Sequence, residues 1–490
     1  MASKPENQAG APPGANRRRK LAFAILFVAY FFLISWDTLR VPFSLDEMGA
    51  IWTYWHPSPL RLLVSHFMLW RGYFRPMGGL FYVPLYLLFG LNPQPYHAVL
   101  LVLLLIGAYL MYRFARAMGC GDLSSAIVAL IACYHGGLSN LYYASVFVFD
   151  VLCGIFYFVA FAYYARIRFS GRLLTRGQTI AFLALYLCAL NSKEMAATLP
   201  VMLLVYEWLY HEPPPWRRLK ELVRWLRGPG RVLCWSVLIN LVFIFGKRFG
   251  PYGLMKVPSY MPVFSWHRMA DFHQRYLGDI FYNPPRFDWF WTIVIWLAVT
   301  YLCWRRKRPL LRFCWFWIVV TPLPLEFIIG RDMACLYVPL AGWTVLAATL
   351  FEDWLPSATR VVSAEPAFRP LGPARTRTML AAAGMIAWAL GSWSYKLANV
   401  ESGVPQLEPH LSEVLAEFRA VNPQAPPATK VVFLDDPFPA SFDGEFVAEL
   451  WFRDRKTQVV LNQKTPLPPE EIAKAGAVFT WRDNKLIRIR

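Results

Sequence analysis

Two adjacent carboxylates, Asp46 and Glu47, follow the first membrane-length apolar run of the chain, Leu21 to Trp36. Carboxylates are costly to hold near lipid, so their presence there invites a functional explanation. An ionised carboxylate can take a proton from an incoming hydroxyl. A third carboxylate, Asp150, closes the apolar stretch that begins at Ser145. Two cations have equally apolar flanks: Lys193 in Asn191-Ser192-Lys193-Glu194, and Arg331 in Gly330-Arg331-Asp332. The arginine fork matches two phosphate oxygens, and lysine adds a mobile point charge. Carboxylates and cations together suggest a base working opposite a held phosphate. Each residue also has a plainer reading. Asp46 can start a solvated loop, Asp150 can snorkel or pair, Lys193 can anchor at an interface, and Arg331 can pair with Asp332.

Their joint use depends on which side of a membrane they reach. The chain has 490 residues, 57% of them hydrophobic and 17% charged, which marks a polytopic membrane protein. Its formal charge of +19 lies in short groups between apolar runs, so anionic lipid headgroups are the expected partners and nucleic acid is not. The eight cysteines lie in or beside apolar segments, which leaves no disulfide framework and no spaced zinc set. The first run lacks a small-residue cleavage site and is read as a retained anchor.

Eleven spans are expected, at about 21–38, 96–112, 123–140, 147–165, 178–191, 195–210, 232–246, 288–304, 310–328, 333–350 and 378–395. Basic groups at 17–20, 113–116, 166–176, 217–231 and 305–308 then all fall on the cytoplasmic side, as the positive-inside rule requires. This topology puts residues 1–20 and the linker 351–377 inside. The loops 39–95 and 247–287 and the tail 396–490 are outside. Met77 to Phe89 and Leu60 to Trp70 are too short or too interrupted to span, so the first outer loop is read as long and semi-buried with interfacial helices. The tail reads as a small α/β domain. Strands are expected at 430–434 and 458–461, a helix at 441–452, and a hairpin from 477–480 and 485–489. The fold class is thus an all-α polytopic bundle with a small periplasmic α/β domain.

These residues resemble the C-type (GT-C) membrane glycosyltransferases, a superfamily that includes protein O-mannosyltransferases and bacterial transferases that modify lipid A. Asp46-Glu47 is similar to the acidic pair in that superfamily's first outer loop. Arg75-Pro76-Met77 through Phe89-Gly90-Leu91-Asn92-Pro93 resembles its RP…FG-N-P stretch. Asn191-Ser192-Lys193-Glu194 with Thr198-Leu199-Pro200 resembles the SKE…LP stretch of the transmembrane O-mannosyltransferases that carry tetratricopeptide repeats. Gly330-Arg331-Asp332 through Tyr337-Val338-Pro339 resembles their ER-Y-YLP stretch, with Met333, Ala334 and Cys335 diluting the aromatic run. No such repeat follows the last span.

The resemblance covers about 20–350 and implies a GT-C catalytic membrane domain over 21–350. It implies a polyprenyl-phosphate-sugar donor and a periplasmic protein, lipid or glycan acceptor. Asp46 would be the base, with Glu47 and Asp150 as further acidic positions, and Lys193 and Arg331 would hold the donor phosphate. Arg75, Glu194, His267, Asp332 and Tyr337 would be accessory. Asp46, Glu47 and Asp150 are the oxygen donors that Mg or Mn takes, but carboxylates at unknown separation do not make a metal site, and no cofactor is required. The expected setting is a bacterial inner membrane. Two rivals use the same residues: a flippase for a lipid-linked glycan precursor, and a non-catalytic scaffold of envelope polysaccharide assembly.

Overall fold

An apolar run crossing lipid has to satisfy its own backbone polar groups, which favours helices. The computed structural model describes residues 13–211, 213–283, 286–331, 333–355, 373–399, 409–438 and 443–490. The chain opens with α1 (Pro13–Ser35) and three shorter helices, α2 (Leu45–Trp55), α3 (Pro59–Ser65) and α4 (Gly79–Phe89). Then come α5 (Pro93–Ala117), α6 (Asp122–Cys133), α7 (Asn140–Tyr143), α8 (Val148–Phe169), α9 (Arg176–Ser192) and α10 (Leu199–Tyr210). The amphipathic α11 (Leu219–Arg227) precedes α12 (Arg231–Phe249), α13 (Trp266–Ile280), α14 (Trp289–Arg305) and α15 (Pro309–Val320). The short α16 (Leu323–Glu326) leads to α17 (Tyr337–Trp354) and α18 (Pro373–Asn399).

The bundle core forms where α5, α6, α8, α9, α15 and α17 pack together. Gly107 makes one of these approaches possible, because a Cβ there would lie 1.9 Å from the Tyr337 hydroxyl. Small residues let membrane helices close on one another in this way.

A helix occupies each of the eleven stretches expected to cross, but the count of eleven needs correction. Among the described residues five segments are by themselves long and apolar enough: Leu21–Arg40, Pro93–Ala117, Ser145–Phe169, Arg231–Lys256 and Ala334–Trp354. Three of the others are shortened by local breaks, α9 and α14 reach 17 residues each, and α18, at 27 residues, is long enough but falls short in apolarity. The 123–140 stretch stops being α-helical after Cys133, where Tyr134 turns extended. The 195–210 stretch begins as a 3-10 turn, Glu194–Thr198, and 310–328 breaks after Val320 ahead of Pro322. The resulting 12-residue helices rise only about 18 Å, against roughly 30 Å of hydrocarbon.

The C-terminal elements are α19 (Pro409–Val421), β1 (Lys430–Phe433), α20 (Asp443–Phe452), β2 (Gln458–Leu461), α21 (Pro469–Ala473), β3 (Ala477–Arg482) and β4 (Lys485–Arg488). The strands lie where alternation and β-branched residues place them. They make one open sheet in the order β2-β1-β3-β4, parallel except for the β3–β4 hairpin. Central β1 has Val431, Val432 and Phe433 all buried, as a parallel strand covered on both faces requires.

Helix α20 fastens this sheet to α2. Phe446 stacks on Trp52 with ring centroids 4.6 Å apart, and Glu449 accepts the Trp52 indole N–H at 2.5 Å. Arg455 donates to the Trp55 carbonyl at 2.8 Å, and Tyr86 of α4 donates to the Leu450 carbonyl at 2.5 Å.

The opposite face of α2 is fixed by Glu47. Ser44 and Glu47 form a capping box, in which the Glu47 carboxylate accepts the Ser44 N–H at 2.7 Å. Its other oxygen accepts the Ser145 N–H at 2.6 Å and the Ser145 hydroxyl at 2.5 Å. Glu47→Ala should therefore strand the Ser44 and Ser145 N–H groups, at about 1–3 kcal/mol for each donor left unpaired. A clearly lowered melting temperature in detergent is expected; an unchanged one would show that α2 is held by packing alone.

Candidate functional site

Arg75 ends the segment between α3 and α4 in a left-handed conformation, φ 35°, immediately before Pro76. That backbone is strained for a residue with a Cβ. Its carbonyl is held by the Tyr54 hydroxyl at 2.9 Å and the Gly78 N–H at 3.0 Å. Gly78 is needed for this fit, since a Cβ there would lie 2.4 Å from Phe149 and 2.7 Å from Tyr54. The strain aims the Arg75 side chain at Glu194, which opens the 3-10 turn after α9. Arg75 Nε and Nη2 donate to Glu194 Oε2 at 3.2 and 2.9 Å. Lys247, from the end of α12, lies 3.2 Å from the other oxygen and donates to the Tyr73 carbonyl at 3.0 Å. Burial works to raise the Glu194 carboxyl, but Arg75 and Lys247 beside it hold it well below the usual carboxylate range.

Lys193 precedes Glu194 and points the other way. Its ammonium pairs with Asp150 in the first turn of α8, and both residues are buried. Burial works against that ammonium, and Asp150 outweighs it, so Lys193 is held above the ordinary lysine value. Arg331 is the remaining cation. Its guanidinium carbon sits 4.3 Å from the Tyr260 ring centre, and its buried Nε has no hydrogen-bond partner among the described residues. Arg75 lies 5.9 Å from the same ring. The electron-rich face of Tyr260 thus steadies two guanidinium groups that would otherwise repel.

Arg75, Lys193, Lys247 and Arg331 line one cavity of about 410 Å³, with Glu194 among them. The rest of the wall is chiefly apolar, including Phe243, Leu254, Phe264, Leu325 and Phe327. Among the described residues, four cations face two carboxylates, Glu194 and Asp150, a surplus of two positive charges. An apolar chamber with surplus charge beside it suits a molecule with a lipid body and an anionic head.

The structure brings together Lys193, Arg331, Arg75 and Glu194, and it joins Asp150 to them through Lys193. It separates the acidic pair. Glu47 is buried and spent on Ser44 and Ser145, whereas Asp46 is exposed in the first turn of α2 and does not line the cavity. Among the described residues Asp46 has no ion-pair or hydrogen-bond partner. His267 is exposed in the first turn of α13, and Tyr337 is buried between α5 and α8 against Gly107 and Gly154. Asp332 lies outside the described residues. Asp46, Glu47 and Asp150, the oxygen donors for a divalent ion, do not converge as a set: no cluster of three metal-ligating side chains occurs among the described residues. Lys247 and Tyr260 were absent from the sequence-based set. Their signal was the basic, aromatic stretch that begins at Lys247, where nothing local separates these two from their neighbours.

No family model matches the chain, and no curated protein matches it. Among solved structures, the crystal structure of ArnT from Cupriavidus metallidurans in the apo state is similar, with a TM-score of 0.56 and 14% identity. The match covers 95% of this chain and 94% of that one, so bundle and C-terminal sheet are included. At that identity the likeness is one of fold alone.

The charge cluster has a pH signature. A depressed carboxyl stabilises the folded state above its ordinary pKa of 4.5 and loses that contribution as pH falls toward its folded value. Glu194→Gln is expected to melt below wild type by a margin that is constant above about pH 5.5 and shrinks in stronger acid. A margin that widens in acid would contradict the pairing.

Proposed function

We propose that this chain is a glycosyltransferase that moves a sugar from a polyprenyl-phosphate carrier to an acceptor hydroxyl, with inversion at the anomeric carbon. The observation that carries it is the chiefly apolar cavity lined by four cations, with a surplus of two positive charges among the described residues. The lipid tail enters between helices, and the phosphate meets Arg331 and Lys193, with Arg75 and Lys247 behind. In the reaction the acceptor oxygen bonds to the anomeric carbon as the bond from that carbon to the phosphate oxygen breaks. The electron pair leaves with the phosphate, which goes from a diester to a more highly charged monoester. Fixed cations favour that charge build-up over the ground state.

Asp46 takes the hydroxyl proton. It is the carboxylate of this group with no partner to surrender, whereas Glu47, Asp150 and Glu194 are each committed to donors or cations. The sugar then projects from the cavity toward α2, where the acceptor arrives. The acceptor is a protein, lipid or glycan, and the setting is a bacterial inner membrane rich in anionic lipids. In this reading the N-terminus is cytoplasmic, and the site and C-terminal sheet are periplasmic, with the basic groups on the cytoplasmic side.

Incubating purified protein with a panel of labelled polyprenyl-phosphate sugars tests this reading. Released polyprenyl phosphate with product supports it. Lipid movement across a bilayer without bond cleavage identifies a flippase instead, and donor binding with neither outcome identifies a scaffold. Asp46→Asn should abolish transfer and leave donor binding intact; near-native turnover would remove Asp46 as the base. Arg331→Ala should weaken polyprenyl phosphate binding roughly ten- to hundredfold, the value of a lost charged hydrogen bond. Lys193→Ala is a poorer probe alone, because it leaves buried Asp150 unpaired, so it should be combined with Asp150→Asn.

A further inference from the structure

A second cavity, of about 620 Å³, lies against the first and has a different character. Helices α2 and α3 and the segment after α12 enclose it. Its walls are aromatic. Tyr73 and Tyr252 stack with centroids 4.6 Å apart, and Trp52 lies between His56 at 5.0 Å and Phe446 at 4.6 Å. Arg61 and Lys256 also line it, and no Asp or Glu does among the described residues. Arg61 donates to the Tyr252 hydroxyl at 2.9 Å. Arg71 stands 5.4 Å from the Tyr252 ring and 5.9 Å from Tyr73, with its buried Nε unpartnered. Among the described residues none of these three cations has a carboxylate partner. The nearby Glu449 is taken up by the Trp52 indole at 2.5 Å and lies 3.7 Å from His56.

The two cavities share a wall one residue thick. Phe74 and Pro76 line the cleft, while Arg75 between them lines the lipid cavity. Gly253 and Lys256 line the cleft, while Leu254 and Met255 line the lipid cavity. Asp46 lies on the same helix as this cleft. Thr53 lines it, and Thr53 and Asp46 stand seven residues apart on one stripe of α2, about 10 Å along the helix.

We propose that this aromatic, cationic cleft binds an acidic oligosaccharide, the glycan part of the acceptor, and leads its hydroxyl along α2 toward Asp46. This rests on the glycosyltransferase reading above. Ring faces receive the C–H faces of sugars, and guanidinium forks receive carboxylate or phosphate substituents. A neutral glycan leaves the two lining cations, Arg61 and Lys256, uncompensated. A lipid headgroup alone uses the cations but not the aromatic wall.

The test is binding without donor, so it fails or succeeds apart from the lipid cavity. The full chain in phosphatidylcholine nanodiscs is titrated with tetragalacturonate and with its fully methyl-esterified neutral counterpart, following tryptophan fluorescence. The acidic form should bind at least tenfold more tightly. Arg61→Glu combined with Lys256→Glu should remove that preference while polyprenyl phosphate still binds at wild-type affinity. Equal binding of both oligosaccharides, binding of neither, or a preference that survives the double reversal overturns the proposal. Loss of the acidic preference when phosphatidylglycerol replaces phosphatidylcholine overturns it too, because the cleft is then a lipid-headgroup surface. Failure of polyprenyl phosphate to bind the wild-type chain counts against the donor cavity instead.

Discussion

One carboxylate, Glu194, determines the shape of the candidate site. Arg75 and Lys247 come from segments far apart in the chain, and both are cations in largely apolar surroundings. Neither would be stable there alone, because an unpaired buried charge costs several kcal/mol. Glu194 accepts one on each oxygen, which draws the segment before α4 and the end of α12 onto the start of α10. The left-handed backbone of Arg75 can then be maintained, since a charged hydrogen-bond pair offsets its cost.

The same pairing sets the charge that the candidate site presents. Among the described residues Asp150 neutralises Lys193 and Glu194 neutralises one of its two partners, so one surplus charge is shared by Arg75 and Lys247 and the other sits on Arg331 over the Tyr260 ring. A site with fully matched charges would be inert toward an anion, and one with four unmatched cations would not be stable in an apolar bundle. Partial compensation satisfies both demands. It also separates the roles of the acidic pair: Glu47 is a structural anchor for α2, and Asp46 remains uncommitted.

Helix α2 connects the regions. One face is tied to the bundle through Glu47 and Ser145, another carries α20 and the sheet, and a third lines the aromatic cleft. A shift of α2 would therefore move the sheet, the cleft and Asp46 together. The full-length similarity to ArnT extends over the sheet as well as the bundle, which fits a sheet built onto the site rather than appended to it.

Much of this protein was legible in the residues themselves. Apolar runs of helix length, basic groups between them and alternating β-branched segments near the C-terminus are local patterns, and local patterns specify elements. Asp46, Lys193 and Arg331 stood out because charge beside apolar sequence is costly wherever it occurs. Span lengths were less legible, since the breaks after Cys133 and Val320 come from packing and hydrogen bonding that periodicity does not encode. The pairings were not legible at all. Arg75 meets Glu194 across 119 residues and Lys193 meets Asp150 across 43, and an ion pair leaves no mark on either residue's neighbours in the chain. The sequence by itself determined which groups carry charge into the membrane bundle; tertiary structure alone decided which of those charges cancel and which remain to act, because cancellation depends on distance in space.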